Sequence, residues 1–104
     1  MKLNPIDIAI NKMVQDAERI IKERRKSSDS NSYVVKLFSE GKVKIANKVG
    51  EEAVETISAY LAEGEENLKE ESADLIFHLL IMLAEANISI DDVLLVLKRR
   101  MKND

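Results

Sequence analysis

Only three glycines and one proline interrupt 104 residues, and between them apolar residues recur every three or four positions. A chain with so few breakers has little material for the frequent turns of a sheet, and its periodicity favours helices joined by short connections. Asn4-Pro5 reads as an N-cap followed by proline at the first helical position. Ile6, Ile10, Met13, Ala17, Ile20 and Ile21 then trace a helix ending in Lys22, Arg24, Arg25 and Lys26, where positive charge suits the helix C-terminus. Ser27 to Ser32 (SSDSNS) is a loop by composition. Ser32 to Phe38 fits a short helix closed by Gly41, although β-branched Val34 and Val35 argue against it.

Lys42 to Glu63 forms a second long helical pattern, with Val43, Ala46, Val49, Ala53, Ile57 and Tyr60 as its apolar stripe, and Gly64 stops it. Glu65 to Ala86 forms a third, with Leu68, Ser72, Leu75, Leu79, Leu83 and Ala86 on its stripe. Asn87-Ile88-Ser89 turns the chain. Ser89 with Asp92 resembles a capping box, and Ile88 with Val93 a hydrophobic staple. The last helix runs from about Ile90 to near Arg100. The expectation is one all-α domain over residues 1–104, a bundle of four to five helices.

From Leu75 to Ala84 the third long helix is apolar on nearly every face, His78 excepted. Such a helix must be covered on several sides, which points to a two-fold homodimer; a single well-packed bundle is the competing reading. A net charge of −3 offers no general footprint for nucleic acid. The absence of cysteine excludes disulfides and thiolate zinc sites. The N-terminus lacks the apolar core of a signal peptide. The longest apolar run, Leu79 to Ala84, is too short to cross a bilayer. A cytoplasmic protein without membrane partners is expected.

Two acidic strings carry the chemistry: Glu51-Glu52-Ala53-Val54-Glu55 and Glu71-Ser72-Ala73-Asp74. Residues three apart on a helix are surface neighbours, so each string aims two carboxylates at one point. Lys48, Glu52, Glu55 and Ala59 share one helical stripe; Glu71, Asp74 and His78 share another. Glu55 lies nine residues before Gly64 and Asp74 ten after it, so antiparallel packing brings them to similar heights. Like charges at ~4 Å repel by roughly 4 kcal/mol at an effective dielectric near 20. A divalent cation relieves this, and ligation by oxygen alone points to Mg²⁺ or Mn²⁺. The competing reading is a set of ordinary solvated acids. Gly50, costly by ~1 kcal/mol inside a helix, implies close approach of a ligand or of another helix. His78 is either a core histidine bonded to the Asp74 carboxylate or a substrate contact. Lys48 and Lys36 are candidate phosphate contacts.

Lys48 to Glu55 (KVGEEAVE), Glu71 to Leu80 (ESADLIFHLL) and Ser32 to Phe38 (SYVVKLF), in this order and spacing, resemble the phosphoribosyl-ATP pyrophosphohydrolases of histidine biosynthesis. That family belongs to the all-α nucleoside triphosphate pyrophosphatases, alongside MazG and the dimeric dUTPases. The resemblance implies a MazG-like bundle and Mg²⁺ ligation by Glu52, Glu55, Glu71 and Asp74. It also implies Glu51 near the metal, Lys48 near the phosphates, and Ser32, Tyr33 and Lys36 on phosphate or ribose. The family often has threonine at the position of Val34 and tyrosine at that of Phe77, so two hydroxyls are missing here. The implied reaction is hydrolysis of 1-(5-phosphoribosyl)-ATP to 1-(5-phosphoribosyl)-AMP and pyrophosphate. A MazG-like pyrophosphatase for other nucleoside triphosphates and a non-enzymatic helical dimerisation module are the alternatives.

Overall fold

Two glycines set the path of the chain. Gly41 and Gly64 adopt φ of +97° and +96° with ψ of 179° and 173°, a region open essentially to glycine alone. Each is the single residue between two helical segments. The computed structural model describes residues 12–102. Its elements are α1 (Met13–Arg25), α2 (Tyr33–Glu40), α3 (Lys42–Ser58) running on into a π-helical segment (Ala59–Glu63), α4 (Glu65–Glu85) and α5 (Ile90–Lys102). No strand occurs among the described residues, so the fold is an all-α bundle. The expected helix start at Asn4-Pro5, with Ile6 and Ile10, lies outside the described residues.

The helix ends follow local chemistry. Ser32 caps α2, its Oγ accepting the Val35 N–H at 3.3 Å. The β-branched pair is tolerated because Val34 is 5% exposed, and packing outweighs weak intrinsic propensity. At the end of α4, Asn87 takes the left-handed conformation (φ 59°). The Ile88 N–H then reaches the Leu83 carbonyl at 2.9 Å and the Asn87 N–H the Ala84 carbonyl at 3.1 Å, a Schellman closure. The start of α5 departs from the expected capping box. Ser89 Oγ accepts the Asp91 N–H at 3.1 Å, while the Ile90 N–H is taken by Glu18 Oε2 of α1 at 2.6 Å. A charged acceptor from a neighbouring helix supplies part of the cap that the local sequence suggested.

The core joins all five α-helices: Ile21 of α1, Val34 and Leu37 of α2, Ile45 of α3, Leu80, Ile81 and Ala84 of α4, and Ile90 of α5. α4 is central, packed on α3 along its length and on α1. Its all-round apolar character is answered largely within the chain, since Ile76, at 50% exposure, is the one exposed residue of the Leu75–Ala84 stretch. The uncovered apolar surface lies elsewhere.

α3 turns a different face inward from the one expected. Its buried residues are Ile45 and Glu52, continued by Ala59 of the π-helical segment. Val43, Ile57 and Tyr60 of the expected stripe stay exposed. The helix is rotated by roughly 100°, the angle of one residue. Thr56 and Ala59, the first hydrogen-bonded to the backbone of α4 and the second only a methyl, let α3 approach closely on this side. Branched Val54 and Ile57 are left outside. Gly50 gives no such approach within the chain, because a Cβ there would meet nothing within 4 Å. Among the described residues no helix is long and apolar enough to cross a membrane.

Candidate metal centre

The rotation of α3 carries Glu52 inward. Glu52 and Glu55 of α3 and Glu71 of α4 each offer an oxygen, and these oxygens lie within 4.8 Å of one another. Glu52 is buried at 6% exposure, Glu71 is half-buried and Glu55 is exposed. The group therefore runs from the helix interface out to solvent. Asp74, one turn further along α4, is exposed and stands outside this trio.

The trio is incomplete as it stands. Glu52 Oε2 and Glu71 Oε2 are both buried and both lack a hydrogen-bond partner. An unpaired buried carboxylate oxygen is costly, and native structures satisfy nearly all such atoms. Here the unpaired atoms belong to two acids of one cluster, and hard oxygen donors are what Mg²⁺ or Mn²⁺ takes. The residues present fit a divalent cation.

Lys48 offsets part of the charge. Its Nζ lies 3.2 Å from Glu51 Oε2 and 3.5 Å from Glu52 Oε1. The hydrogen bond to Glu51 raises the Lys48 ammonium above its ordinary value; burial opposes this, and the nearby Tyr33 and acids add to it. Lys48 therefore stays charged beside the site. Glu51 is exposed and turned to Lys48 rather than to the trio.

Thr56 holds the two carboxylate-bearing helices together. Its Oγ1 is 2.7 Å from the Glu52 carbonyl on its own helix and 3.1 Å from the Glu71 carbonyl on α4. One hydroxyl proton shared between those carbonyls ties together the backbones of the two acids with unpaired oxygens. Sequence reading passed over Thr56, whose only signal was a poor helix former one position after the acidic string.

His78 sits behind the site at 5% exposure. Its Nδ1 is 2.7 Å from the Asp74 carbonyl, so the backbone, and not the Asp74 carboxylate, is its partner. Its Nε2 is 2.7 Å from the Tyr33 hydroxyl. The Tyr33 and His78 rings meet edge-on at 5.6 Å, and Phe77 meets His78 in the same way at 5.3 Å. Partial burial raises the Tyr33 hydroxyl above its ordinary value, against the pull of Lys48 and with support from Glu52, Glu40 and Glu51. Tyr33 is thus an uncharged phenol within the field of the acidic cluster. Of the remaining candidates, Ser32 spends its hydroxyl oxygen on the α2 cap, and Lys36 is exposed on α2. The hydroxyl lost at Val34 is explained by burial, since that side chain packs in the core. Phe77 stacks on Tyr33 at 6.3 Å.

Residues 14–101 match the family described as phosphoribosyl-ATP pyrophosphohydrolase. The chain is 47% identical over 90 residues to the phosphoribosyl-ATP pyrophosphatase of Pyrobaculum calidifontis, covering 86% of this chain and 96% of that one. It is 52% identical over 83 residues to the phosphoribosyl-ATP pyrophosphatase of Zymomonas mobilis, covering 80% and 78%. A third similarity, 46% over 84 residues, is to the histidine biosynthesis bifunctional protein HisIE of Thermotoga maritima, with 81% of this chain and 43% of that longer protein aligned.

Proposed function

The chain belongs to the phosphoribosyl-ATP pyrophosphohydrolase family, and on that footing we propose that it hydrolyses 1-(5-phosphoribosyl)-ATP to 1-(5-phosphoribosyl)-AMP and pyrophosphate in histidine biosynthesis. The observation that carries the chemistry is the pair of buried, unpartnered oxygens on Glu52 and Glu71 within one carboxylate trio. Glu52, Glu55 and Glu71 are the residues that would hold Mg²⁺, with Asp74 joining them from the next turn of α4. A bound Mg²⁺ supplies neutralisation of the triphosphate oxygens and a more acidic water.

The chain's own groups do the rest. Glu51, exposed next to Glu52 in sequence and paired with Lys48, is the carboxylate that would accept the proton released by the attacking water on turning from Lys48 toward the trio. Lys48 stays cationic at the same edge and steadies the charge that builds on the leaving pyrophosphate. Lys36, exposed on α2 next to the Tyr33 turn, is a second candidate for that charge. A cleft lined by Glu23, Arg24, Ser27, Asp29, Asn31, Ser32 and Tyr33 gives the nucleoside end of the substrate a place to lie.

The same reading includes a homodimer. Val43, Val54, Ile57 and Leu61 are 74%, 62%, 56% and 73% exposed and fall on one line of α3 and its π-helical extension, with Gly50 between them. An apolar stripe centred on a glycine with no packing role inside its own chain suits a helix of a second copy. The assignment is to a cytoplasmic enzyme.

Purified protein incubated with Mg²⁺ and either phosphoribosyl-ATP or a panel of ordinary nucleoside triphosphates tests the substrate. Faster release of pyrophosphate from phosphoribosyl-ATP is expected. Faster turnover of the ordinary triphosphates would overturn the assignment.

A further inference from the structure

The cleft given above to the nucleoside end of the substrate is one of two that share a wall. It measures about 520 Å³ and is polar, with Glu23, Ser27, Asp29 and Asn31 among its lining residues. The second measures about 330 Å³ and is apolar, lined by Ala17, Ile20, Val34 and Phe77 among others. Both fall within the roughly 300–1,000 Å³ of small-molecule sites. Arg24 and Tyr33 line both clefts, so the two compartments adjoin at this pair. An arginine suits such a boundary, because its methylene stem covers apolar surface while its guanidinium stays in the polar space. Phe77 lies three residues beyond Asp74 on α4, so the apolar cleft opens one helical turn from the acids that would hold Mg²⁺. The polar cleft is lined from α1, the loop after it and the start of α2.

Arg24 is the one cation lining either cleft, and it forms no ion pair among the described residues. The acids of the polar cleft are engaged elsewhere. Glu23 Oε1 pairs with Arg19 at 3.2 Å, and Asp29 Oδ1 accepts the Asn31 N–H at 3.0 Å. Two carboxylates repel an anion from the rest of this cleft, so a phosphate is held there only beside Arg24, whose planar fork matches phosphate oxygens. Phosphoribosyl-ATP carries such a phosphate. Beyond its triphosphate and first ribose comes the flat purine, and the purine bears a second ribose ending in a 5-phosphate. Ordinary nucleoside triphosphates lack that last group. The order of acids, apolar cleft and polar cleft matches the order of triphosphate, purine and phosphoribosyl group. We propose that Arg24 binds the 5-phosphate of the second ribose, with the purine in the apolar cleft, and so sets the preference for phosphoribosyl-ATP. This proposal rests on the phosphoribosyl-ATP reading.

The test is steady-state hydrolysis by the wild type, Arg24→Gln and Arg24→Lys of two substrates, phosphoribosyl-ATP and 1-ribosyl-ATP, the same molecule without the distal phosphate. Arg24→Gln should raise KM for phosphoribosyl-ATP roughly tenfold, the low end for a charge-assisted hydrogen bond because the site is exposed, with kcat within about twofold. Arg24→Lys should fall between Arg24→Gln and the wild type, since an ammonium keeps the charge without the fork. The wild-type KM should rise by the same factor of about ten on 1-ribosyl-ATP, and neither variant should lose anything further on it. Arg24→Lys and the wild type decide the matter if Arg24→Gln does not fold. Equal losses by the variants on both substrates, a loss carried by kcat, or a wild type indifferent to the distal phosphate would overturn the proposal. A wild type inactive on phosphoribosyl-ATP would instead sink the parent reading and this one with it.

Discussion

Glu71→Gln should make the metal-free protein more stable and blind to Mg²⁺. The acidic oxygens lie within 4.8 Å of one another, and at that separation two carboxylates repel by roughly 3.5 kcal/mol at an effective dielectric near 20. Lys48 at 3.5 Å from Glu52 offers that acid an attraction of about 5 kcal/mol on the same footing, so Glu52 is largely compensated. Glu71 has no ion-pair partner among the described residues. Its repulsion by exposed Glu55 is weakened by the solvent around that side chain, and that by Glu52 is cut by the partial exposure of Glu71 to about 1–2 kcal/mol. The amide keeps the shape, removes the charge and can donate to an unpaired oxygen of Glu52. For a domain of this size the gain corresponds to about 5–10 °C in Tm. Thermal melts followed by circular dichroism in EDTA and in 10 mM Mg²⁺ provide the measurement. The wild type should gain about 1.4 kcal/mol when Mg²⁺ stands at tenfold over its Kd, and Glu71→Gln should gain nothing. A Glu71→Gln protein that melts lower in EDTA, or keeps the wild-type response to Mg²⁺, refutes the argument.

Thr56→Val removes the bonds to the Glu52 and Glu71 carbonyls. It should cost about 1 kcal/mol of stability and weaken Mg²⁺ binding several-fold in calorimetry, with Thr56→Ser recovering both. Ile57→Glu, on the outer stripe of α3, should convert a dimer to a monomer in sedimentation experiments; an unchanged mass would remove that face from the interface. Stability should also fall at alkaline pH. Tyr33 and Lys48 are both held above their ordinary values of 10.0 and 10.5 in the folded protein, so their contribution is complete below those values and lost as pH rises through the folded ones. Urea melts between about pH 8 and pH 11.5 should show this decline, and the Tyr33→Phe/Lys48→Met pair should flatten it.

Much of the fold was open to reading along the chain. Gly41 and Gly64 end helices because their backbone conformation excludes side chains, and that requirement is local. That the two acidic strings approach one another followed from counting residues outward from Gly64, but the count matched Glu55 with Asp74, whereas Glu71 is the α4 acid that joins Glu52 and Glu55 and Asp74 stands outside. What escaped was rotational and reciprocal. Periodicity placed Glu52 and Ala59 on one line and Val43 and Ile57 on another, yet the more apolar line stayed outside. The partner of His78 was misassigned to the Asp74 carboxylate, because spacing of four residues serves the carbonyl and the side chain equally. The cap on α5 came from Glu18, distant in sequence, and Thr56 was invisible as a tie between helices.

Breaker positions and residue spacing by themselves determined that this chain is helical and that its acids cluster beside one turn, because both follow from interactions spanning a few residues. Tertiary structure alone decided which face of α3 meets α4, which carboxylate oxygens are left without partners, and that the Tyr33 hydroxyl meets His78. Those outcomes depend on hydrogen-bond partners and packing surfaces supplied by other helices, and no local pattern encodes them.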